Sequence, residues 1–324
     1  MILHRTGWLL QIVSSEEMPR ALLSDKKALG QSLGRQGKEP TVELNKIDIS
    51  LAFMDKAGID LAILSFPGFP SNDVGTEMAS LRNKEMADIC ASHPTRFAFF
   101  ATLPHLSNTQ GCLQEISHVF DTLHAQGVAL PSLCGTGPDA KYIADEAYEP
   151  IWAELNKRRA VVHLHGTQTP SSTPYPGPFL GIPISEVPNE TFKAAAHLVV
   201  SGFKRKYPDV KIVLAHLGGS MPYLAARVAT LSPYMGCPLT PEEIIEDFKT
   251  FYYDTALSAS DANLKAVEAF ASLDRVVYGS DFPAVTSEII QWYDNHLVAF
   301  TEERGEKDND TLRAICAGNI GRLL

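Results

Sequence analysis

Seven short apolar runs, each closed by a glycine, proline, histidine or acid and each followed by a segment of helix length, leave this chain few folds to choose from. They are Leu61–Phe66, Arg96–Thr102, Gly127–Leu130, Val161–His165, Lys211–Ala215, Phe251–Asp254 and Arg275–Gly279. Strands that are apolar on both faces and alternate with helices predict a parallel sheet covered by helices. A (β/α)8 barrel needs eight such strands. The eighth has to come from residues 1–45, an otherwise irregular segment with a weak helix near Met18 to Leu33, where the one candidate is the short run Trp8 to Val13. A doubly wound open sheet is the rival, but no Gly-x-Gly-x-x-Gly turn follows any of the runs. The expectation is therefore an α/β fold, a distorted (β/α)8 TIM barrel over 1–324 as a single domain, with its first strand missing or replaced.

In such a barrel the chemistry sits at the C-terminal ends of the strands. Three runs end on residues able to do chemistry: Val161-Val162-His163-Leu164-His165-Gly166, Leu214-Ala215-His216-Leu217-Gly218-Gly219 and Tyr278-Gly279-Ser280-Asp281-Phe282-Pro283. His165 is a candidate metal ligand, with a histidine satisfied in the core as the alternative. His163, two residues earlier, faces the same way one layer deeper and reads as a supporting or structural residue. His216, beside a predicted helix start, is a candidate catalytic base or acid, with helix capping as its alternative. A carboxylate at the end of a buried strand is costly unless it meets a cation or several hydrogen bonds, which makes Asp281 the leading candidate. Capping is its bland alternative, and Ser280 could cap instead. Asp254 reads as a supporting or capping acid, and His105, after Leu103-Pro104, is the one further histidine that is a candidate to face the site. The segment Gly166 to Pro188, with six prolines, is expected to be irregular and to form a packed lid through Tyr175, Phe179 and Leu180.

Composition narrows the partners. A net charge of -10 disfavours nucleic acid and anionic membranes, and the short cluster Lys204-Arg205-Lys206 reads as a solvated helix end. No apolar run reaches the ~20 residues a membrane span needs. The five cysteines are widely spread without a CxxC pair and read as idle thiols. No small-residue cleavage site follows Met1 to Leu10, so a cytoplasmic protein is expected.

The series Leu164-His165, Ala215-His216-Leu217-Gly218-Gly219, Tyr253-Asp254-Thr255, Tyr278-Gly279-Ser280-Asp281-Phe282-Pro283 and Gly318-Asn319-Ile320-Gly321-Arg322-Leu323 resembles the metal-dependent decarboxylases of the amidohydrolase superfamily. Phe53 to Asp60 and His93 to Ala101 look closest to the fungal 6-methylsalicylate decarboxylase branch. The resemblance runs from about Ile47 to the C-terminus. It implies a barrel of the metal-dependent hydrolase type, one divalent metal (Zn²⁺ in preference to Mn²⁺), and a homodimer acting on a small aromatic acid. His165 then matches the metal histidine of the fifth strand, His216 the catalytic histidine of the sixth, and Asp281 the aspartate of the eighth, both ligand and proton donor. The family's first-strand His-x-His has no counterpart here. Either the polypeptide starts late and lacks that strand, or the chain is a variant with a weakened site in which His4 partly substitutes. Two rival functions accompany decarboxylation: metal-dependent hydrolysis of a lactone or amide, and an inactive or ligand-binding paralogue.

Overall fold

A computed structural model of the chain describes residues 9–14, 47–66, 75–135, 139–167, 179–180, 182–305 and 309–324. The strands are β1 Leu9–Ser14, β2 Leu61–Ser65, β3 Phe97–Thr102, β4 Gly127–Pro131, β5 Leu133–Cys134, β6 Lys141–Tyr142, β7 Val161–His165, β8 Lys211–Leu214, β9 Tyr252–Asp254 and β10 Val276–Val277. Eight of them form one sheet in the order β1-β2-β3-β4-β7-β8-β9-β10, so the seven expected strands adjoin one another in the sheet in the order they have in the chain. Helices separate them, as burial on both faces requires. The chain divides into two compact units, one of Met1–Ser65, His93–Ala98 and Asp254–Leu324, the other of Phe66–Ser92 and Phe99–Tyr253.

In the second unit β3, β4, β7, β8 and β9 run parallel, in registers such as Val128↔Val162 and Val162↔Ile212. Their side chains are almost wholly buried, which explains the unbroken apolar runs. The end of β3 is tied down by polar groups: Asn83 donates to the Thr102 carbonyl (2.8 Å) and to Glu115 (2.7 Å), and accepts from the Thr102 N–H (2.8 Å). Between β4 and β7 lies a small antiparallel pair, β5 with β6. Of Lys204-Arg205-Lys206, the last two are exposed at a helix end as expected, but they are ion-paired, and Lys204 is buried. Arg205 pairs with Asp247 (2.6 Å) and Glu243 (2.7 Å), Lys206 pairs with Glu149 (2.5 Å), and Lys204 is buried with its ammonium 5.8 Å from the Phe251 ring centre.

The irregular segment expected over Gly166 to Pro188 is shorter than its prolines suggested. A helix begins at Ile182 and runs to Val200 with Pro188 inside it. Pro183 falls in the first turn, where a missing N–H costs nothing. Gly202, at φ 79°, separates this helix from the short helix Phe203–Lys206. Phe179 is 95% exposed and does not pack as a lid residue. Tyr175 lies outside the described residues.

In the first unit β1 pairs with β2, but antiparallel, with Leu9 opposite Ser65 and Ser14 opposite Leu61. The expected first strand is thus replaced by one of opposite direction. His4 and the weak helix near Met18 to Leu33 lie outside the described residues. β10 is only two residues long, against the five expected. The Tyr278 N–H goes to the Ile315 carbonyl (3.0 Å) and the Gly279 N–H to the Thr255 hydroxyl (3.0 Å), so other partners take over where a strand ladder would continue.

Behind this turn Tyr278 donates its hydroxyl to Asp294 on the helix Ser287–Glu302 at 2.9 Å. Burial raises the Asp294 carboxyl to about 7, and the Tyr278 bond lowers it by less. A carboxyl held above its unfolded value stabilises the fold fully below the unfolded pKa, and that contribution is lost as pH rises toward the folded one. Wild-type protein should therefore lose stability relative to Asp294→Asn between about pH 4 and pH 7, by on the order of 4 kcal/mol in all. Urea unfolding of both proteins at the two ends of that range checks this; equal slopes with pH would contradict it.

No helix among the described residues is long and apolar enough to cross a membrane. All five cysteines are free, and three are buried.

Candidate active site

His165 ends β7 in the second unit, and its ring is fixed by the next residue along the chain. Nδ1 lies 2.8 Å from the Gly166 carbonyl. A carbonyl only accepts, so Nδ1 carries the proton and Nε2 the lone pair. Burial first, then the neighbouring His216 and His163 rings, hold the His165 imidazole well below the usual histidine range, and it stands neutral. A neutral imidazole with its second nitrogen already bonded is the form that ligates metals.

His216 is brought to the same place. Its Nε2 lies 3.1 Å from that of His165, with ring centres 5.0 Å apart. Since His165 Nε2 is the acceptor, His216 Nε2 is the donor of this bond. The four residues from His216 on all have positive φ, His216 at 58°, Leu217 at 51°, Gly218 at 72° and Gly219 at 61°, which the glycines adopt freely and the other two do not. For His and Leu the left-handed region costs roughly 1 kcal/mol or more each. The turn is held by Gly218 N–H to the Ala215 carbonyl (3.1 Å) and Gly219 N–H to the His216 carbonyl (2.9 Å). The following helix begins only at Met221, five residues on, so His216 stands farther from the helix start than the sequence suggested.

One turn of the helix Ile182–Val200 lies against both histidine segments. A Cβ on Gly166 would meet the Val187 carbonyl oxygen at 1.9 Å, and one on Gly219 the Pro188 carbonyl oxygen at 2.0 Å. Thr191, four residues after Val187, accepts the Gly166 N–H at 2.9 Å and donates to the Val187 carbonyl at 3.1 Å. Ser132, just past β4, accepts the Thr167 N–H at 3.0 Å and shares a bond with the Thr167 hydroxyl, also 3.0 Å. Thr191 and Ser132 are both wholly buried, and neither stood out in the sequence. A hydroxyl directly after a strand end is the one signal that could have pointed to Ser132.

His163 is fully buried, its ring 6.2 Å from that of Phe100 and 6.4 Å from that of His165, as a structural neighbour of the site would be. His105 makes a local bond to Ser107 (2.7 Å), while its Nε2 has no hydrogen-bond partner among the described residues.

Asp281 lies in the first unit, 7% exposed, at φ 60°. An aspartate tolerates this left-handed conformation better than most residues. No helix begins here, the next starting at Ser287, so helix capping explains neither Asp281 nor Ser280; the Ser280 hydroxyl takes the Phe282 N–H in a local turn (3.3 Å), and the Asp281 carbonyl accepts from the Ala284 N–H (2.9 Å). The Phe282 ring stacks on Phe53 with centres 4.1 Å apart, which anchors the turn. Asp254 is wholly buried and takes the Ala256 N–H at 3.1 Å, a local turn bond, since the next helix begins only at Asp261.

The structure thus brings His165 and His216 together within one unit and sets Asp281 at its own strand end in the other. The donor chemistry suits a divalent metal at His165: Nδ1 is held by the Gly166 carbonyl, and the Nε2 lone pair that takes the His216 bond in this structure is the one that would ligate. Among the described residues no group of three or more His, Cys, Asp or Glu is gathered as a metal cluster.

This sheet, with helices between its parallel strands and histidines at the strand ends, is that of a distorted (β/α)8 barrel. The amidohydrolase family model matches residues 50–324, and the chain belongs to that family. It is 36% identical over 302 residues to the 6-methylsalicylic acid decarboxylase of Penicillium expansum, covering 90% of each chain. Among solved structures, the 2,6-dihydroxybenzoate decarboxylase from Rhizobium superposes with a TM-score of 0.75 at 23% identity, over 97% of this chain and 96% of that one. A dihydroxybenzoic acid decarboxylase from Polaromonas sp. JS666, solved with bound manganese and an inhibitor, superposes at 0.73 with 24% identity, over 86% of each chain.

Proposed function

We propose that this chain catalyses the metal-dependent, non-oxidative decarboxylation of a small aromatic acid with an ortho hydroxyl, of the 6-methylsalicylate type. The observation that carries the reading is the His165–His216 pair, with one imidazole fixed as an acceptor and the other as a donor, in a chain 36% identical to a 6-methylsalicylic acid decarboxylase.

His165 and Asp281 are the proposed ligands of one divalent metal, zinc in preference to manganese, which suits imidazole donors. When bound, the metal supplies a cation for the substrate carboxylate and phenol oxygens and lowers the pKa of the hydroxyl. Asp281, protonated, gives its proton to the ring carbon that bears the carboxylate, and the ring π electrons form the new C–H bond. The bond to the carboxylate then breaks, CO₂ leaves, and its electron pair restores the aromatic ring. His216, a donor at Nε2, orients the substrate oxygen or relays the proton. Support for Asp281 comes from the motif Gly279-Ser280-Asp281-Phe282-Pro283 and from its buried place just past a strand end.

The two units act as one catalytic domain in this proposal, which is supported by a family match continuous over 50–324. A cytoplasmic homodimer completes it. Tyr223, Leu231, Tyr234 and Met235, on and just past the helix Met221–Tyr234, are 68%, 44%, 86% and 81% exposed, an apolar row for which a second copy is the proposed cover.

The test is an assay of the purified, zinc-loaded chain for CO₂ release from 6-methylsalicylate beside ring opening of an aryl lactone, with light scattering of the same preparation. Decarboxylation that stops on chelation and returns with zinc is expected, at twice the monomer mass. Lactone opening without CO₂ would point to the hydrolase, and neither activity, with no metal retained, to the binding paralogue.

A further inference from the structure

The Gly166 backbone is gripped from two sides. The peptide between His165 and Gly166 presents its N–H to Thr191 Oγ1 at 2.9 Å. The next peptide, between Gly166 and Thr167, presents its N–H to Ser132 Oγ at 3.0 Å, and the carbonyl of that same peptide accepts His165 Nδ1 at 2.8 Å. Both hydroxyls are wholly buried and spend their remaining capacity locally, Thr191 on the Val187 carbonyl and Ser132 on the Thr167 hydroxyl. Neither belongs to the proposed metal or proton-transfer set. The Gly166 carbonyl cannot rotate away from His165 without breaking the Ser132 bond, and the peptide before it cannot tilt without breaking the Thr191 bond. Such groups around a histidine ligand fix its tautomer and ring angle.

We propose that Ser132 and Thr191 are positioning residues: their hydroxyls pin the two peptides flanking Gly166, and so keep the proton of His165 on Nδ1 and the lone pair on Nε2. Helix Ile182–Val200 and the end of β4 thereby set the ligating state of a residue neither of them carries. The proposal rests on His165 being a metal ligand for its consequence in affinity, but the tautomer itself does not depend on metal.

The test compares the wild-type chain with Ser132→Ala, Thr191→Val and Thr191→Ser. In metal-free protein, ¹⁵N imidazole shifts should report one Nδ1–H tautomer of His165 in wild type and Thr191→Ser, and a tautomer mixture in Ser132→Ala and Thr191→Val. Zn²⁺ affinity, measured by competition with a chromophoric chelator, should fall about 10-fold in each of the latter two and recover in Thr191→Ser. Should Thr191→Val fail to fold, Ser132→Ala, which removes one oxygen from a small side chain, carries the comparison alone. Unchanged ¹⁵N shifts in Ser132→Ala and Thr191→Val overturn the proposal, as does an affinity loss in Thr191→Ser equal to that in Thr191→Val. Wild type that binds no Zn²⁺ but shows the expected tautomer shifts refutes the metal reading of His165 and leaves the positioning intact.

Discussion

Asp281→Asn is expected to release CO₂ from 6-methylsalicylate about 10³-fold more slowly than wild type, within the range for loss of a positioned proton donor, while melting within a few degrees of it. Asparagine is the discriminating replacement. It is isosteric and tolerates the left-handed φ of 60° at this position, where alanine would add strain of its own. The Phe282 N–H is met by the Ser280 hydroxyl, so the turn keeps that bond in the variant. What is lost is the proton and the charge. Steady-state rates with zinc held saturating separate the two, because an amide that merely weakens the metal site is rescued by more zinc. A variant that decarboxylates at the wild-type rate would remove Asp281 from the mechanism.

The second large effect is on stability. Gly219→Ala should lower the melting temperature by roughly 5–10 °C, from a destabilisation of about 3 kcal/mol or more. Two causes combine there: φ is +61°, and the new Cβ would stand 2.0 Å from the Pro188 carbonyl oxygen. That oxygen belongs to a helix backbone and cannot swing aside as a flexible side chain would. Two further alanine variants divide the causes. Gly166→Ala has the close approach alone, its Cβ 1.9 Å from the Val187 oxygen, whereas Gly202→Ala has the positive φ of 79° with nothing within 4 Å. Gly202→Ala should cost only ~1 kcal/mol. Differential scanning calorimetry of the three gives the order Gly219 and Gly166 well above Gly202; three equal losses would mean that backbone strain, not the helix contact, sets the cost.

Much of this fold was legible because burial on both faces writes a strand as an unbroken apolar run. All seven runs from Leu61 onward are strands, and His165, His216 and Asp281 stand at or just past the ends of β7, β8 and β10. What the sequence hid was set by tertiary contacts. The direction of β1 is not encoded in Leu9–Ser14, since an apolar hexapeptide pairs either way. The helix from Ile182 overrode its prolines because Pro183 sits in the first turn and because packing on Gly166 and Gly219 holds the turn around Pro188. β10 ended early because a side chain and a distant carbonyl took its N–H groups. Within the site, residue types at strand ends pointed to the imidazoles. The hydroxyls of Ser132 and Thr191 were invisible, being ordinary residues whose partners lie 35 and 25 positions away.

One helical turn, Val187 to Thr191, touches the segments of both histidines. The two loops therefore do not vary independently. A substitution that shifts this turn to accommodate one loop moves the wall against which the other is built, so tolerated changes at 166, 187–191 and 219 should come in matched sets. For anyone reshaping this enzyme toward a bulkier acid, that makes the turn a shared hinge of sequence space: libraries that randomise one loop alone will be mostly inactive, and those that recombine all three segments are where new specificities are to be sought.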